Sequence, residues 1–212
     1  MFNLIQGIFY SEHDMTGKFD DKHIIKTIKA IKKNPALAET EDRPVSDNPK
    51  HTFYEDTNLT YDIYDPFVEE VTKIINEVCE TNSFSADDVW GHVVEPLQQT
   101  MVHSHRNIGD SDAGLSCVYY PHMKKGMGKI HFIVEVNGNR IIQQVDVKPK
   151  HLYVFSRDVL HFTPANTSNQ IRVSISANFL CNWSFLHELD PQNNFWKYVG
   201  RKGETNKNPA TW

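Results

Sequence analysis

Met101-Val102-His103-Ser104-His105-Arg106 closes a strand-like run. Successive side chains on a strand alternate faces, so His103 and His105 point the same way and two imidazoles converge on one spot. Neutral imidazole is the commonest metal ligand among side chains, and such a pair at the open end of a sheet can hold a divalent ion. A third histidine, His161, follows the apolar run Leu152-Tyr153-Val154-Phe155 and a Ser156-Arg157-Asp158 turn, within Val159-Leu160-His161-Phe162-Thr163-Pro164. Taken singly each has a blander explanation, a solvated strand face for the first two and a satisfied core residue for His161. Further on, Arg172-Val173-Ser174-Ile175-Ser176-Ala177-Asn178-Phe179 alternates strictly. Val173, Ile175, Ala177 and Phe179 belong to a core, while Arg172, Ser174, Ser176 and Asn178 share the other face. If that face lines a barrel, it offers hydroxyls and a guanidinium that can grip a carboxylate bidentately. A half-exposed edge strand would show the same alternation.

Residues so far apart meet only if the chain between them folds as a sheet. From Asp87 onward the sequence is written in short β-rich runs separated by turns, which favours a sandwich or barrel over alternating β and α units. Seven strands are expected near 89–94, 98–105, 115–121, 129–136, 139–147, 151–156 and 170–180, and an eighth fits. Asn137-Gly138 supplies the positive φ angles of a tight hairpin between Lys129–Val136 and Asn139–Val147. Ahead of this body, Asp20 or Asp21 can cap a helix with Ile24, Ile25, Ile28 and Ile31 on one stripe and Lys26, Lys29, Lys32 and Lys33 facing water, ended by Asn34-Pro35. Asp65 as cap and Pro66 at the first helical position predict a second helix carrying Phe67, Val68, Val71, Ile74, Ile75 and Val78. Residues 36–60 read as a long loop with a short strand around His51–Tyr54. The expected architecture is mainly β with flanking α-helices, in a jelly roll: a single domain with helical support over 1–86, the jelly-roll core over 87–180 and a C-terminal arm over 181–212.

Composition narrows the function. The 212 residues, 39% hydrophobic and 11% aromatic, make one domain able to build a core. Twenty-two basic against 27 acidic residues leave a net charge of -5, which makes nucleic acid an improbable partner. Cys79, Cys117 and Cys181 suit neither a disulfide framework nor a thiolate zinc site, and a reducing, cytoplasmic setting is the simpler home. No signal-peptide pattern and no membrane-length apolar run is present. Cys117 reads as a small core residue. Among the other histidines, His92, His131 and His151 are expected to bond locally in or beside strands. His13, His23, His51, His122 and His187 have no partner at ligand spacing. Trp90, Trp183 and Trp196 read as core or rim residues.

The order His-x-His, Leu-Ser-Cys-Val-Tyr-Tyr, Leu-x-x-Phe-Ser-x-x-x-Leu-His and Arg-x-Ser, over about residues 97–180, resembles the Fe(II)- and 2-oxoglutarate-dependent oxygenases, in particular the prolyl-hydroxylase-like branch and small phage and marine bacterial members. The resemblance implies a double-stranded β-helix. It implies His103 and His161 as imidazole ligands of Fe(II), and Arg172, Ser174 and Tyr120 as partners of the distal carboxylate of 2-oxoglutarate, with Tyr119 on the other face. The family places an Asp or Glu where this chain has His105. Either His105 is the third ligand, or Asp110 or Asp112 of the following loop supplies a carboxylate, or the centre is degenerate; the fixed direction of a residue two positions from His103 favours His105. The implied activity is a dioxygenase that hydroxylates a C–H bond of a protein, peptide or small-molecule substrate with O2, releasing succinate and CO2. Val118, Phe132 and Phe155 are candidates for the apolar shell.

Two rival readings stand beside it. A cupin begins with His-x-His, a spacer and an acid, which His103, His105 and Asp110 imitate, but Leu97 and Ser156-Arg157-Asp158 stand where that family has glycine-bearing motifs. A non-catalytic jelly-roll binding or structural module would make the histidines incidental. Neither rival needs an arginine clamp after His161.

Overall fold

Two amphipathic helices back the larger of two antiparallel sheets, and the smaller sheet closes over its other face. The computed structural model describes residues 10–38, 56–105, 114–136 and 138–181. In chain order these form β1 (Tyr10–Asp14), α1 (Asp21–Lys33), a 3-10 turn (Pro35–Ala38), β2 (Asp56–Thr57), α2 (Tyr61–Val78), β3 (Phe84–Val94), β4 (Thr100–His103), β5 (Gly114–Tyr120), β6 (His131–Val136), β7 (Asn139–Gln144), β8 (His151–Ser156), β9 (Leu160–Thr163) and β10 (Arg172–Cys181). The large sheet runs β1-β8-β5-β10-β3-β2 and the small one β4-β9-β6-β7. This interleaved order is the double-stranded β-helix.

Alternation along the central strands assigns every side chain to one of two cores. Cys117 and Tyr119 of β5, Leu152 and Val154 of β8, and Val173, Ile175, Ala177 and Phe179 of β10 face the helices, where they meet Ile24, Ile28, Ile63, Phe67, Val71 and Ile75. The intervening residues Val118, Tyr120, Tyr153 and Phe155 face the small sheet and pack with Ile130, Phe132 and Val134. Each such aliphatic or aromatic side chain, fully buried, contributes roughly 1.5–3 kcal/mol.

Helix α1 forms as its pattern predicts. Asp20 is the cap, its carboxylate accepting from the His23 N–H, and Ile24, Ile28 and Ile31 are buried. Helix α2 departs from the expectation: it starts at Tyr61 behind Thr60, so Pro66 lies inside it rather than at its first position. Ile63 explains the extra turn. It is buried and continues the stripe Phe67, Val71, Ile75 toward the N-terminus, and tertiary burial outweighs the one backbone bond that proline forfeits. Strand bounds shift as well. β3 begins at Phe84, ahead of Asp87 where the β-rich pattern sets in, and β4 ends at His103, leaving His105 beyond it. The polar segments β1 and β2 and the four-residue β9 were not expected as separate strands. The hairpin at 137–138 forms: Val136 pairs with Asn139 and Gly138 has φ +76°. The strand expected at His51–Tyr54 and the arm from residue 182 lie outside the described residues. No helix among the described residues is long and apolar enough to cross a membrane.

Candidate metal centre

β4 and β9 are antiparallel neighbours in the small sheet, with His103 paired to His161. His105, just past the end of β4, turns back onto them. The rings of His103 and His161 lie 4.2 Å apart between centroids, those of His105 and His161 4.9 Å, and those of His103 and His105 5.1 Å. One ring nitrogen from each falls within 4.8 Å of the other two.

The outer nitrogens fix which ones are offered. His103 Nδ1 donates to the Met101 carbonyl at 2.8 Å and His161 Nδ1 to the Val159 carbonyl at 2.9 Å. His105 Nδ1 donates to Asn178 Oδ1 at 2.7 Å and lies 2.9 Å from Ser116 Oγ, whose hydroxyl also donates to Asn178 at 2.7 Å. Carbonyl oxygens only accept, so each proton sits on Nδ1 and the lone pair on Nε2. His105 Nε2 and His103 Nε2 face each other at 3.2 Å. Lone pairs held this close inside a protein are what a cation between them relieves, and Nδ1 tethers of this kind orient ligating histidines.

Electrostatics keep the rings neutral, as ligands must be. Burial holds His105 down to about 4, with the neighbouring His103 ring acting the same way. His161, 6% exposed, is held well below the ordinary imidazole value by burial and then by the other two rings. Burial lowers His103 too, against the Met101 carbonyl.

His105 lies past the last strand pair and needs other anchors. Arg157 supplies them: its Nε donates to the His105 carbonyl at 2.8 Å, and the His105 N–H donates to the Arg157 carbonyl at 3.0 Å. Gly114 makes room for that side chain, since a Cβ there would stand 2.8 Å from the Phe179 carbonyl and 2.9 Å from Arg157 Cδ.

Arg172 opens β10 with its side chain between the sheets, 2% exposed. Nη1 donates to the Met127 and Gly128 carbonyls at 3.1 and 3.2 Å, and Nη2 to Thr163 Oγ1 at 2.9 Å. Gly128, at φ +78°, is required there, because a Cβ would lie 2.6 Å from the Pro164 carbonyl. His161 and Thr163 are alternate residues on one strand face, so the guanidinium sits one step of about 7 Å along β9 from the histidines. Tyr120 is buried in the same interior; burial raises its phenol while the nearby Arg172 charge pulls the other way. Tyr119 faces the helices and donates to Asp21. Ser174 is buried on the Arg172 face, opposite His92. Phe132 and Phe155 ring His161, with centroids at 6.4 and 5.1 Å, and Val118 joins their cluster. Asp110 and Asp112 lie outside the described residues.

Cys117 is fully buried and its thiol pushed up by desolvation, as a core residue would be. His131 and His151 bond to nearby carbonyls. His92 differs from its expected local role: it reaches Asp56, 36 positions away. Ser116, Asn178 and Arg157 escaped the sequence reading as supports of His105. The signals were present in a serine inside an apolar strand and an asparagine on the Arg172 face, but only the fold joins them to a histidine.

No family model matches the sequence, and no curated protein matches it either. Solved structures share the fold. The chain is similar to the non-heme alpha ketoglutarate dependent carbocyclase SnoK from nogalamycin biosynthesis, at 10% identity and TM-score 0.57 over 81% of this chain and 79% of the other. AviO1 from Streptomyces viridochromogenes matches at 10% identity and TM-score 0.57, over 81% and 89%. The non-heme alpha ketoglutarate dependent epimerase SnoN from nogalamycin biosynthesis matches at 12% and 0.52, over 81% and 76%. The chain thus resembles the non-heme 2-oxoglutarate-dependent oxygenases in fold, and among its described residues is a three-histidine group able to hold a metal ion.

Proposed function

We propose that the protein is an Fe(II)- and 2-oxoglutarate-dependent dioxygenase that hydroxylates a C–H bond of a peptide, protein or small-molecule substrate, with release of succinate and CO2. The observation that carries this reading is the pairing, in one interior, of three Nε2 lone pairs with a buried arginine one strand step away. A three-imidazole set alone would equally suit catalytic zinc. The guanidinium supports a dicarboxylate co-substrate instead, because a ligand spanning both places would bind metal at one end and offer a carboxylate at the other.

In this reading His103, His105 and His161 hold the ion, and Arg172, with Tyr120 and Ser174 beside it, holds the distal carboxylate. When bound, Fe(II) and 2-oxoglutarate supply the activation of O2 that attacks a C–H bond. The chain's own contribution is orientation and exclusion of water: Nδ1 tethers aim the imidazoles, and Val118, Phe132 and Phe155 keep the interior apolar.

Anaerobic addition of Fe(II) and 2-oxoglutarate is expected to give a visible charge-transfer band, lost in His161→Ala and weakened in Arg172→Ala. Bound metal without the band would favour a cupin-type centre. Folded protein that binds no metal would favour a non-catalytic module.

A further inference from the structure

Asp56 and His92 are register partners on β2 and β3 at the edge of the large sheet. His92 Nδ1 lies 2.6 Å from Asp56 Oδ1, and the two side chains are 9% and 6% exposed. On the far side of the ring, Nε2 lies 3.0 Å from Thr100 Oγ1. A carboxylate only accepts, so the imidazole donates from Nδ1; in the tautomer this selects, Nε2 is the acceptor and the Thr100 hydroxyl donates to it. With its one hydrogen committed, Thr100 turns its lone pairs toward Arg172, whose Nη2 is 3.5 Å away. Thr163, the other hydroxyl on that nitrogen, is the cross-strand partner of Thr100.

A jelly roll does not need this chain of groups. Burying a carboxylate, an imidazole and a guanidinium in one wall is costly, and apolar residues of similar volume would close the sheets at least as well. The direction of the chain is informative: it starts on a two-residue edge strand and ends at the guanidinium.

We infer that Asp56 and His92 are positioning residues for the co-substrate carboxylate, acting through Thr100 on Arg172. The inference rests on the reading of Arg172 given above. Asp56 fixes the His92 tautomer, His92 fixes the rotation of the Thr100 hydroxyl, and Thr100 joins Thr163 in holding one guanidinium nitrogen. Releasing that hydroxyl leaves it free to compete as a donor beside the cation, which loosens the guanidinium without touching the histidine trio.

The test is titration of 2-oxoglutarate into the Fe(II)-loaded protein under anaerobic conditions, with Co(II) affinity measured separately by calorimetry. Thr100→Val and His92→Phe, both close in volume to the native residue, are each expected to raise the Kd for 2-oxoglutarate about tenfold while the Co(II) Kd stays within about twofold. Thr100→Ser is expected to restore wild-type affinity, and the Thr100→Val/His92→Phe double variant to lose no more than either single one. Unchanged 2-oxoglutarate binding in the folded variants, or an equal loss of Co(II) and 2-oxoglutarate affinity, overturns the inference alone. A wild-type protein that gives no 2-oxoglutarate-dependent band overturns the functional reading and this inference with it.

Discussion

Three imidazoles crowded into one apolar corner resist protonation, and that resistance makes the fold sensitive to acid. The unfolded chain protonates histidine near 6.5, whereas folded His105 resists until about 4. The native state therefore binds fewer protons in this interval, and stability that is fully present above pH 6.5 is lost as pH falls toward 4. For His105 alone the loss is on the order of 3 kcal/mol, and His161 acts in the same direction. Thermal melts of metal-free protein are expected to show Tm falling across this window, and His105→Asn is expected to flatten the fall. A Tm independent of pH between 6.5 and 4 would contradict the neutral trio. The supports of His105 belong to this scale too. Asn178→Leu keeps volume but removes the acceptor for His105 Nδ1, and is expected to weaken Co(II) binding about 10–100-fold in calorimetry.

Among the elements, the start of β5 carries the packing that lets Arg157 hold His105. Gly114→Ala would push a methyl group against the Phe179 carbonyl and Arg157, and is expected to destabilise the fold by about 1–3 kcal/mol in urea denaturation. Pro66→Ala should act oppositely. It returns an N–H to the second turn of α2 at an exposed position, with an expected gain of about 1–3 kcal/mol. The same helix shows where sequence patterns mislead, since Asp65-Pro66 carries the chemistry of a helix start while Ile63 places the true start a turn earlier. Helix α1, the hairpin at Gly138 and the two faces of β10 were legible because capping, turn chemistry and alternation are local. β1 was not: Tyr10 is buried, but Ser11, Glu12 and His13 follow it, and only the open edge of β8 makes such a stretch a strand. His103 and His105 do converge, but not by strand alternation, because β4 ends at His103 and Arg157, Ser116 and Asn178 hold His105 beyond it. Nothing local joined Asp56 to His92, because their meeting depends on a two-residue pairing between distant segments.

For the whole molecule, a metal ion held by His103, His105 and His161 would be a folding ligand. Its donors would come from two neighbouring strands of the small sheet and from the segment beyond, so an ion bound to the native state alone would shift global stability. At a hundred times Kd of Co(II) the gain is about 2.7 kcal/mol, which for a chain of this size raises Tm by about 5–10 °C. Scanning fluorimetry is expected to show that rise in the wild type and none in His103→Ala or His161→Ala.

His103 and His161 are locked together by the pairing of β4 with β9, whereas His105 depends on side-chain anchors past the strand's end. As a third donor to a bound ion it would thus be hemilabile. In a chelator chase, Asn178→Leu, which removes an anchor of His105, is expected to speed the departure of a bound ion.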